Sequence, residues 1–293
     1  MWQDNAMGDQ AFLWEPAKYV QFGDFRNRPF FDLTSRIGAA APRTVVDLGC
    51  GPGNLTATLA ARWPSAAVLG IDSSAAMVAE AARLSSPPPH SSKTHDAETH
   101  DAGPLAVAAP HQPPGLAFAL ADIAAWVPAP DTDVVISNAA LQWVPGHREL
   151  MAAWLAALRP GAWLGVQVPG NFGAPSHVLM RELAESTRWR QLLDGVLRHD
   201  DAVGEPADYH ELFLRGGAQV DVWETTYSQL LPGENPVLEW VRGTGLRPVL
   251  AALGGGSAEF EREYSALLAE AYPRGDFGTI FEFRRIFMVG EKQ

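Results

Sequence analysis

The segment Val45-Val-Asp-Leu-Gly-Cys-Gly-Pro-Gly53 leaves few folds open to this chain. Two β-branched residues run straight into alternating glycines, so a buried strand ends in a turn where main chain can approach a ligand without side-chain interference. Leu55 to Arg62 then carries helical spacing, which sets the turn at a helix N-terminus. About twenty residues further on, Ala67-Val-Leu-Gly-Ile reads as a second strand closed by Asp72, at the depth where a carboxylate accepts from both hydroxyls of a ribose. The pairing predicts a site for a nucleoside-bearing cofactor.

Nicotinamide enzymes carry Gly-x-Gly-x-x-Gly at the same place, so glycines alone leave that option open. Here Asn54 stands at the third glycine position, and Asp47 puts negative charge where a pyrophosphate would be poorly served. A cationic cofactor suits the acid better, and S-adenosylmethionine carries both an ammonium and a sulfonium. Asp-x-Gly-x-Gly-x-Gly from Asp47 to Gly53 resembles the first motif of class I methyltransferases. That resemblance implies cofactor contacts from Asp47, Gly49, Cys50, Gly51, Asp72, Ser73 and Met77, with Tyr19 covering the cofactor and S-adenosylhomocysteine as product. Cys50, between two glycines, reads as a small filler rather than a catalytic thiol.

With 293 residues the chain can bury a full core, and its single cysteine excludes an internal disulfide framework. The N-terminus lacks the basic and apolar regions of a signal peptide, and no apolar stretch approaches the roughly twenty residues of a membrane span. A cytoplasmic protein without membrane contact is expected. A net charge of −12 disfavours a nucleic-acid surface and opposes an anionic substrate at long range, so such a substrate needs a local cluster of arginines. No obligate protein partner is evident.

After an N-terminal segment, strand and helix alternate over Thr44–Leu48, Leu55–Arg62, Val68–Ile71, Ala75–Arg83, Leu116–Ala119, Asp133–Ser137, Leu150–Leu158 and Trp163–Val168. This order predicts an α/β fold, a Rossmann-like parallel sheet with helices on both faces and its ligand crevice at the strands' carboxyl ends. Asn171 to Leu214 reads as helical. Strand signals return at Gln219–Tyr227 and Arg285–Val289, with helices near Val237–Arg242 and Glu259–Ala271 between them. The plan is a seven-stranded, mostly parallel sheet of the class I methyltransferase kind with a helical cap. Residues 1–40 form a helical segment over the site, 41–170 the cofactor core, and 171–293 the cap helices and last strands that set specificity. Ser85 to Gly115, Pro- and Ser-rich, reads as a disordered low-complexity loop (85–115). His90, His95, His100 and His111 fall there, and a solvated tract is expected rather than a metal site.

Asp122 and Ile123 follow the third strand, where a carboxylate accepts from an adenine amino group and a backbone N–H meets the ring, although Asp122 also suits a helix N-cap. The fourth strand ends in Ser137-Asn138-Ala139-Ala140-Leu141-Gln142-Trp143, which adds Asn138 and Ala139 to the cofactor candidates. Ser-x-x-x-Leu-x-Trp at this place resembles carboxyl methyltransferases. With Arg26-Asn-Arg-Pro, Gln167-Val-Pro-Gly-Asn-Phe, Pro175-Ser-His-Val, Val222-Trp-Glu-Thr-Thr-Tyr, Thr244-Gly-Leu-Arg-Pro and Phe283-Arg-Arg-Ile-Phe, nearly the whole chain is similar to the trans-aconitate methyltransferase family. The resemblance implies esterification of a carboxylate of trans-aconitate or a related small polyacid. It places Trp143 at the reacting carboxylate, as in plant carboxyl methyltransferases where this tryptophan donates its indole N–H to the substrate.

A carboxylate is already deprotonated at neutral pH, so this chemistry needs no general base. A guanidinium clamped on the attacking oxygen would drain its nucleophilicity, whereas arginines on the other carboxylates fix the pose. Arg247, set between Gly245 and Pro248, heads the candidates for this outer cluster, with Arg284, Arg285, Arg26 and Arg28. His177, after a possible N-cap at Ser176, and Tyr227, at the end of the sixth strand, complete the substrate candidates. Two alternatives stay open: a malonyl thioester on a carrier protein as acceptor, or a non-catalytic protein that binds S-adenosylmethionine.

Overall fold

Strand β1 (Thr44–Leu48) is buried on both faces, as a run of branched apolar residues demands inside a parallel sheet. This computed structural model describes residues 23–85, 114–197 and 202–293. Tyr19, the four histidines of the low-complexity stretch and nearly all of that stretch lie outside the described residues, as does the side chain of Arg26. β2 (Ala67–Asp72), β3 (Gly115–Leu120), β4 (Val134–Asn138) and β5 (Trp163–Pro169) join β1 in parallel. β7 (Thr279–Lys292) runs antiparallel to both β5 and β6 (Ala218–Leu231), giving a seven-stranded order β3-β2-β1-β4-β5-β7-β6. Chain order reverses between β1 and β4, so their carboxyl ends open a crevice. β6 and β7 are each fourteen residues long, well beyond the lengths expected from sequence, and continue past the carboxyl edge of β5.

Helices cover both faces. On one, α4 (His147–Ala157) and α7 (Pro206–Arg215) bury Met151, Trp154, Tyr209 and Phe213 against Leu164, Val166, Ile286 and Met288. On the other, α1 (Gly23–Ser35) and α2 (Asn54–Arg62) bring Phe30, Leu33 and Leu59 onto Val45, Ile136 and Phe287. α3 (Ala75–Ala81) follows β2. A Cβ at Gly165 would come 3.1 Å from Ile37 Cδ1, so the missing side chain lets the α1 end of the chain lie close on β5. The Arg36 guanidinium lies over Trp223 and that of Arg28 over Tyr227, which orients α1 with its N-terminal end at the carboxyl edge of the sheet.

A separate core forms the cap. α5 (Pro175–Glu185), α6 (Arg190–Leu193), α8 (Pro236–Arg242), α9 (Arg247–Leu253) and α10 (Ser257–Ala271) gather Trp189, Trp240, Phe260 and Tyr264 around Phe281 and Phe283, on the overhanging part of β7. Among the described residues no helix is long and apolar enough to cross a membrane, and no group of three or more His, Cys, Asp and Glu is placed to hold a metal ion.

Two buried carboxyls pull stability in opposite directions with pH. Asp133, at the entry to β4, accepts from the Arg43 backbone N–H at 2.6 Å, from Arg43 Nε at 3.2 Å and from Arg159 Nε at 3.0 Å. Burial alone would raise its pKa, but the hydrogen bonds and charges of the two arginines hold it below the usual carboxylate range. Asp47, on β1, accepts from the buried Thr56 hydroxyl of α2 at 2.6 Å. Burial pushes it up to about 7, with Thr56 opposing and the Asp72 charge adding to the rise. Asp133→Asn is expected to lower the unfolding free energy by about 3 kcal/mol near neutrality, a deficit that shrinks as pH falls below roughly 4. Because the folded state of Asp47 holds its proton longer than the unfolded chain, its contribution is full below about pH 4 and is lost as pH rises to about 7. Urea titrations of the ligand-free protein across that window should show Asp47→Asn flattening the loss; an unchanged slope would remove Asp47 as its source.

Candidate functional site

The turn after β1 is built on three positive-φ glycines, Gly49 at 79°, Gly51 at 56° and Gly53 at 79°. A Cβ on Gly49 would stand 2.2 Å from Ala140 Cβ, and one on Gly53 would stand 2.6 Å from the Phe118 ring. Those two are glycines because of packing. At Gly51 a Cβ would meet nothing within 4 Å, so this main chain faces open space. Gly49 and Cys50 donate their N–H groups to Ile71 C=O at 2.7 and 3.0 Å, tying the turn to β2. The Asp72 carboxylate accepts from Gly51 N–H at 2.9 Å and Ser74 N–H at 2.8 Å, and each oxygen retains accepting capacity for a hydroxyl. Ser73 beside it is exposed, while Met77 is buried at the start of α3 with its N–H capped by Ser74 Oγ.

Of the two parts expected of Asp122, the N-cap is the one observed. One oxygen caps the 3₁₀ turn Ile123–Ala125 through Ala124 N–H at 2.9 Å, leaving the other exposed, and Ile123 Cδ1 lies 3.4 Å from the Cβ position of Gly49. Across the crevice, Ala139 is the one non-glycine residue at positive φ among the described residues, at 55°. This strained conformation is held by Ala139 N–H donating to Gln167 C=O at 2.9 Å, and it delivers Ala140 onto Gly49. Asn138 ends β4 with its Oδ1 buried and without a hydrogen-bond partner. Cys50 is buried, and burial together with Asp47 and Asp72 raises its thiol pKa, which leaves it an inert filler. An open glycine main chain, a fixed carboxylate, an exposed second carboxylate and an orphaned amide oxygen fit a ribose, an adenine and a cationic tail. S-adenosylmethionine has all three.

Several of the substrate candidates lie on the α1 face of the sheet. Trp143 closes the 3₁₀ turn Leu141–Trp143 after β4 with its indole 37% exposed, beside the crevice. Strand register then steps outward: Asn138 is opposite Gln167, Pro169 is opposite Arg285, which is in turn opposite Thr225, and Phe283 is opposite Tyr227. Arg285 is 6% exposed, with its guanidinium 4.3 Å from the Phe283 ring centroid. Tyr227 lies four residues before the end of β6, not at its end, and donates its hydroxyl to Asp32 of α1 at 2.5 Å. Arg28 lies 4.9 Å over the Tyr227 ring and 3.9 Å from Asp32. Burial and the Asp32 hydrogen bond raise the Tyr227 pKa, so the phenol stays a donor.

Other expectations are corrected. Arg284 points to the opposite face of β7 from Arg285, where Glu205 and Glu224 hold its guanidinium at 2.6 Å each and raise its pKa. It is already neutralised away from the crevice. Ser176 is no N-cap: Ala174 takes that place, Pro175 opens α5, and the buried Ser176 receives Tyr264 at its C=O and donates its N–H to Tyr272 Oη at 3.0 Å. His177 is half-buried against the Phe172 ring, and its Nε2 lies 3.5 Å from the Cβ position of Gly245. Burial and then Arg181 lower its pKa to about 4, so the ring is neutral at physiological pH and keeps one N–H to donate. Arg247 starts α9 on the cap, two residues beyond the Gly245 that meets His177, rather than sitting inside a turn. Two residues not among the site candidates adjoin them: Asp32 holds the Tyr227 hydroxyl, and Gln167 is opposite Asn138. Gln167 had a signal, a lone amide within the apolar run Trp163-Leu-Gly-Val-Gln-Val; Asp32 had none, since its partner is 195 positions away.

A family described as a methyltransferase domain matches residues 22–202. Trans-aconitate 2-methyltransferase of Streptomyces avermitilis is 49% identical over 283 residues, covering 96% of this chain and 97% of that protein. The Rhodococcus jostii protein of the same name is 50% identical over 284 residues, covering 96% of this chain and all of the relative, and the Mycobacterium tuberculosis protein is 44% identical over 282, covering 95% and 97%. Among solved structures, the YcgJ protein of Bacillus subtilis matches with a TM-score of 0.54 at 12% identity over 91% of this chain and 99% of that one, a likeness of fold. Glycine turn, strand order and near full-length identity agree, and the chain belongs to the trans-aconitate 2-methyltransferase family of class I S-adenosylmethionine-dependent methyltransferases.

Proposed function

We propose that this protein forms a methyl ester on one carboxylate of trans-aconitate or a closely related small polycarboxylic acid. The observation that carries the reading is the placement of Arg285, Arg28 and Tyr227 on the α1 face, outward from the crevice between β1 and β4. When bound, S-adenosylmethionine supplies a methyl on a sulfonium, and a C–O bond forms as the C–S bond breaks to leave a thioether. The chain's own residues align and desolvate the acid. Trp143 orients the reacting carboxylate with a neutral indole donor, which leaves its oxygen nucleophilic. Arg285 and Arg28 hold carboxylates that do not react, Tyr227 donates beside them, and Arg247 and His177 line the cap side. Gly49, Gly51, Asp72, Ser73, Met77, Asp122, Ile123, Asn138 and Ala139 form the cofactor's cradle, with Asp47 and Cys50 packed beneath it and Tyr19 contributed by the preceding segment. No proton leaves the acid, so no base is required. A free acid as substrate and a lone reduced cysteine suit the cytoplasm.

Transfer of radiolabelled methyl to a panel of trans-aconitate, cis-aconitate, citrate, isocitrate, itaconate and a malonyl-carrier protein tests the reading. Base-labile incorporation greatest with trans-aconitate is expected. Preference for the carrier protein, or cofactor binding with no transfer to any acid, would overturn it. Arg285→Met should raise the KM for the acid roughly tenfold or more with cofactor affinity within about twofold, and Trp143→Phe should lower kcat about tenfold. Equal loss of acid and cofactor binding in Arg285→Met, or undiminished turnover in Trp143→Phe, would remove those assignments.

A further inference from the structure

Gln167 sits in the middle of β5 between Val166 and Val168, is 0% exposed, and has no hydrogen-bond partner for either its side-chain nitrogen or its side-chain oxygen. A strand buried on both faces gains nothing from such a residue, since an amide stripped of water and left unpaired destabilises the fold. Folding alone would select another valine. The position of the amide indicates what answers it. β5 directs Leu164, Val166 and Val168 to one core and Gly165 toward Leu33 and Ile37 of the opposite face, so Gln167 lies on the α1 face. Its strand partner on one side is Asn138, whose buried Oδ1 is also unpaired, and its own C=O receives Ala139 N–H at the strained turn that reaches Gly49. On the other side it is opposite Phe287, which makes Arg285 a diagonal neighbour roughly 7–8 Å away between Cα atoms.

Resting on the proposed carboxyl methylation, we infer that Gln167 is a further substrate-binding residue, whose Nε2 donates to the acid's reacting carboxylate and selects which carboxylate meets the methyl donor. A neutral amide suits that place, because it fixes an oxygen without withdrawing charge as a guanidinium would. The order along the sheet is then a neutral donor next to the crevice and cationic donors one strand further out. An acid with two or more carboxylates spans the two.

The test compares wild type with Gln167→Leu and Gln167→Glu by steady-state kinetics, thermal unfolding of ligand-free protein, calorimetric binding of S-adenosylhomocysteine, and NMR identification of the methyl ester formed. For Gln167→Leu the expected result is a kcat/KM for trans-aconitate at least about tenfold lower, a mixture of ester regioisomers where wild type gives one, an unfolding temperature equal to or above wild type, and product affinity within about twofold. Gln167→Glu, which sets a carboxylate against the acid, should lose more than about a hundredfold. Undiminished turnover by Gln167→Leu, a fall in activity that tracks a fall in unfolding temperature, or a parallel loss of product affinity would each overturn the inference while leaving the proposed reaction standing. Wild type that methylates no acid would overturn the proposed reaction, and this inference with it.

Discussion

The contact between Ala140 and Gly49 holds the candidate site together. A methyl group from the turn after β4 occupies the space where any side chain on Gly49 would stand, so the two halves of the crevice are locked at the point where strand order reverses. Ala139 sustains a positive φ to deliver that methyl, and its N–H is held by the carbonyl of Gln167 on the next strand. The glycine turn, the β4 turn and β5 are thereby set by one chain of contacts. A change in any of the three would be felt in the other two.

Charge is distributed to match. The chain as a whole is strongly acidic, and the buried Asp47 under the glycine turn favours a cationic ligand. Most arginines whose partners are resolved here serve carboxylates of the fold, as Arg43 and Arg159 serve Asp133, Arg242 serves Glu239 and Glu261, and Arg284 serves Glu205 and Glu224. Near Tyr227, Arg28 lies over the Tyr227 ring and 3.9 Å from Asp32, and the buried Arg285 guanidinium lies over the Phe283 ring.

Much of this was legible from local pattern. The glycine turn, Asp72 and Asp122 declare themselves because each acts through its immediate neighbours along the chain, and the strand–helix alternation gave element kinds and order with boundaries off by a few residues. What could not be read depends on register. Arg284 and Arg285 are adjacent, so they face opposite sides of β7, and only the register of that strand decides which one faces the α1 side. Tyr227 and Asp32 meet across 195 positions, and the overhang of β6 and β7 that carries Tyr227 and the cap is held by the packing of Phe281 and Phe283 in the cap core. The half-burial of His177 against Phe172 and beside Gly245 belongs to tertiary structure and leaves no local signal.

The most direct measurement is a crystal structure with S-adenosylhomocysteine and trans-aconitate bound together. The account predicts one carboxylate beside Trp143 and Gln167, facing the sulfur, and another at Arg285 or Arg28 with Tyr227 in hydrogen-bonding reach. An acid bound on the opposite face at Arg284, or one with a guanidinium clamped on the carboxylate nearest the sulfur, would contradict it.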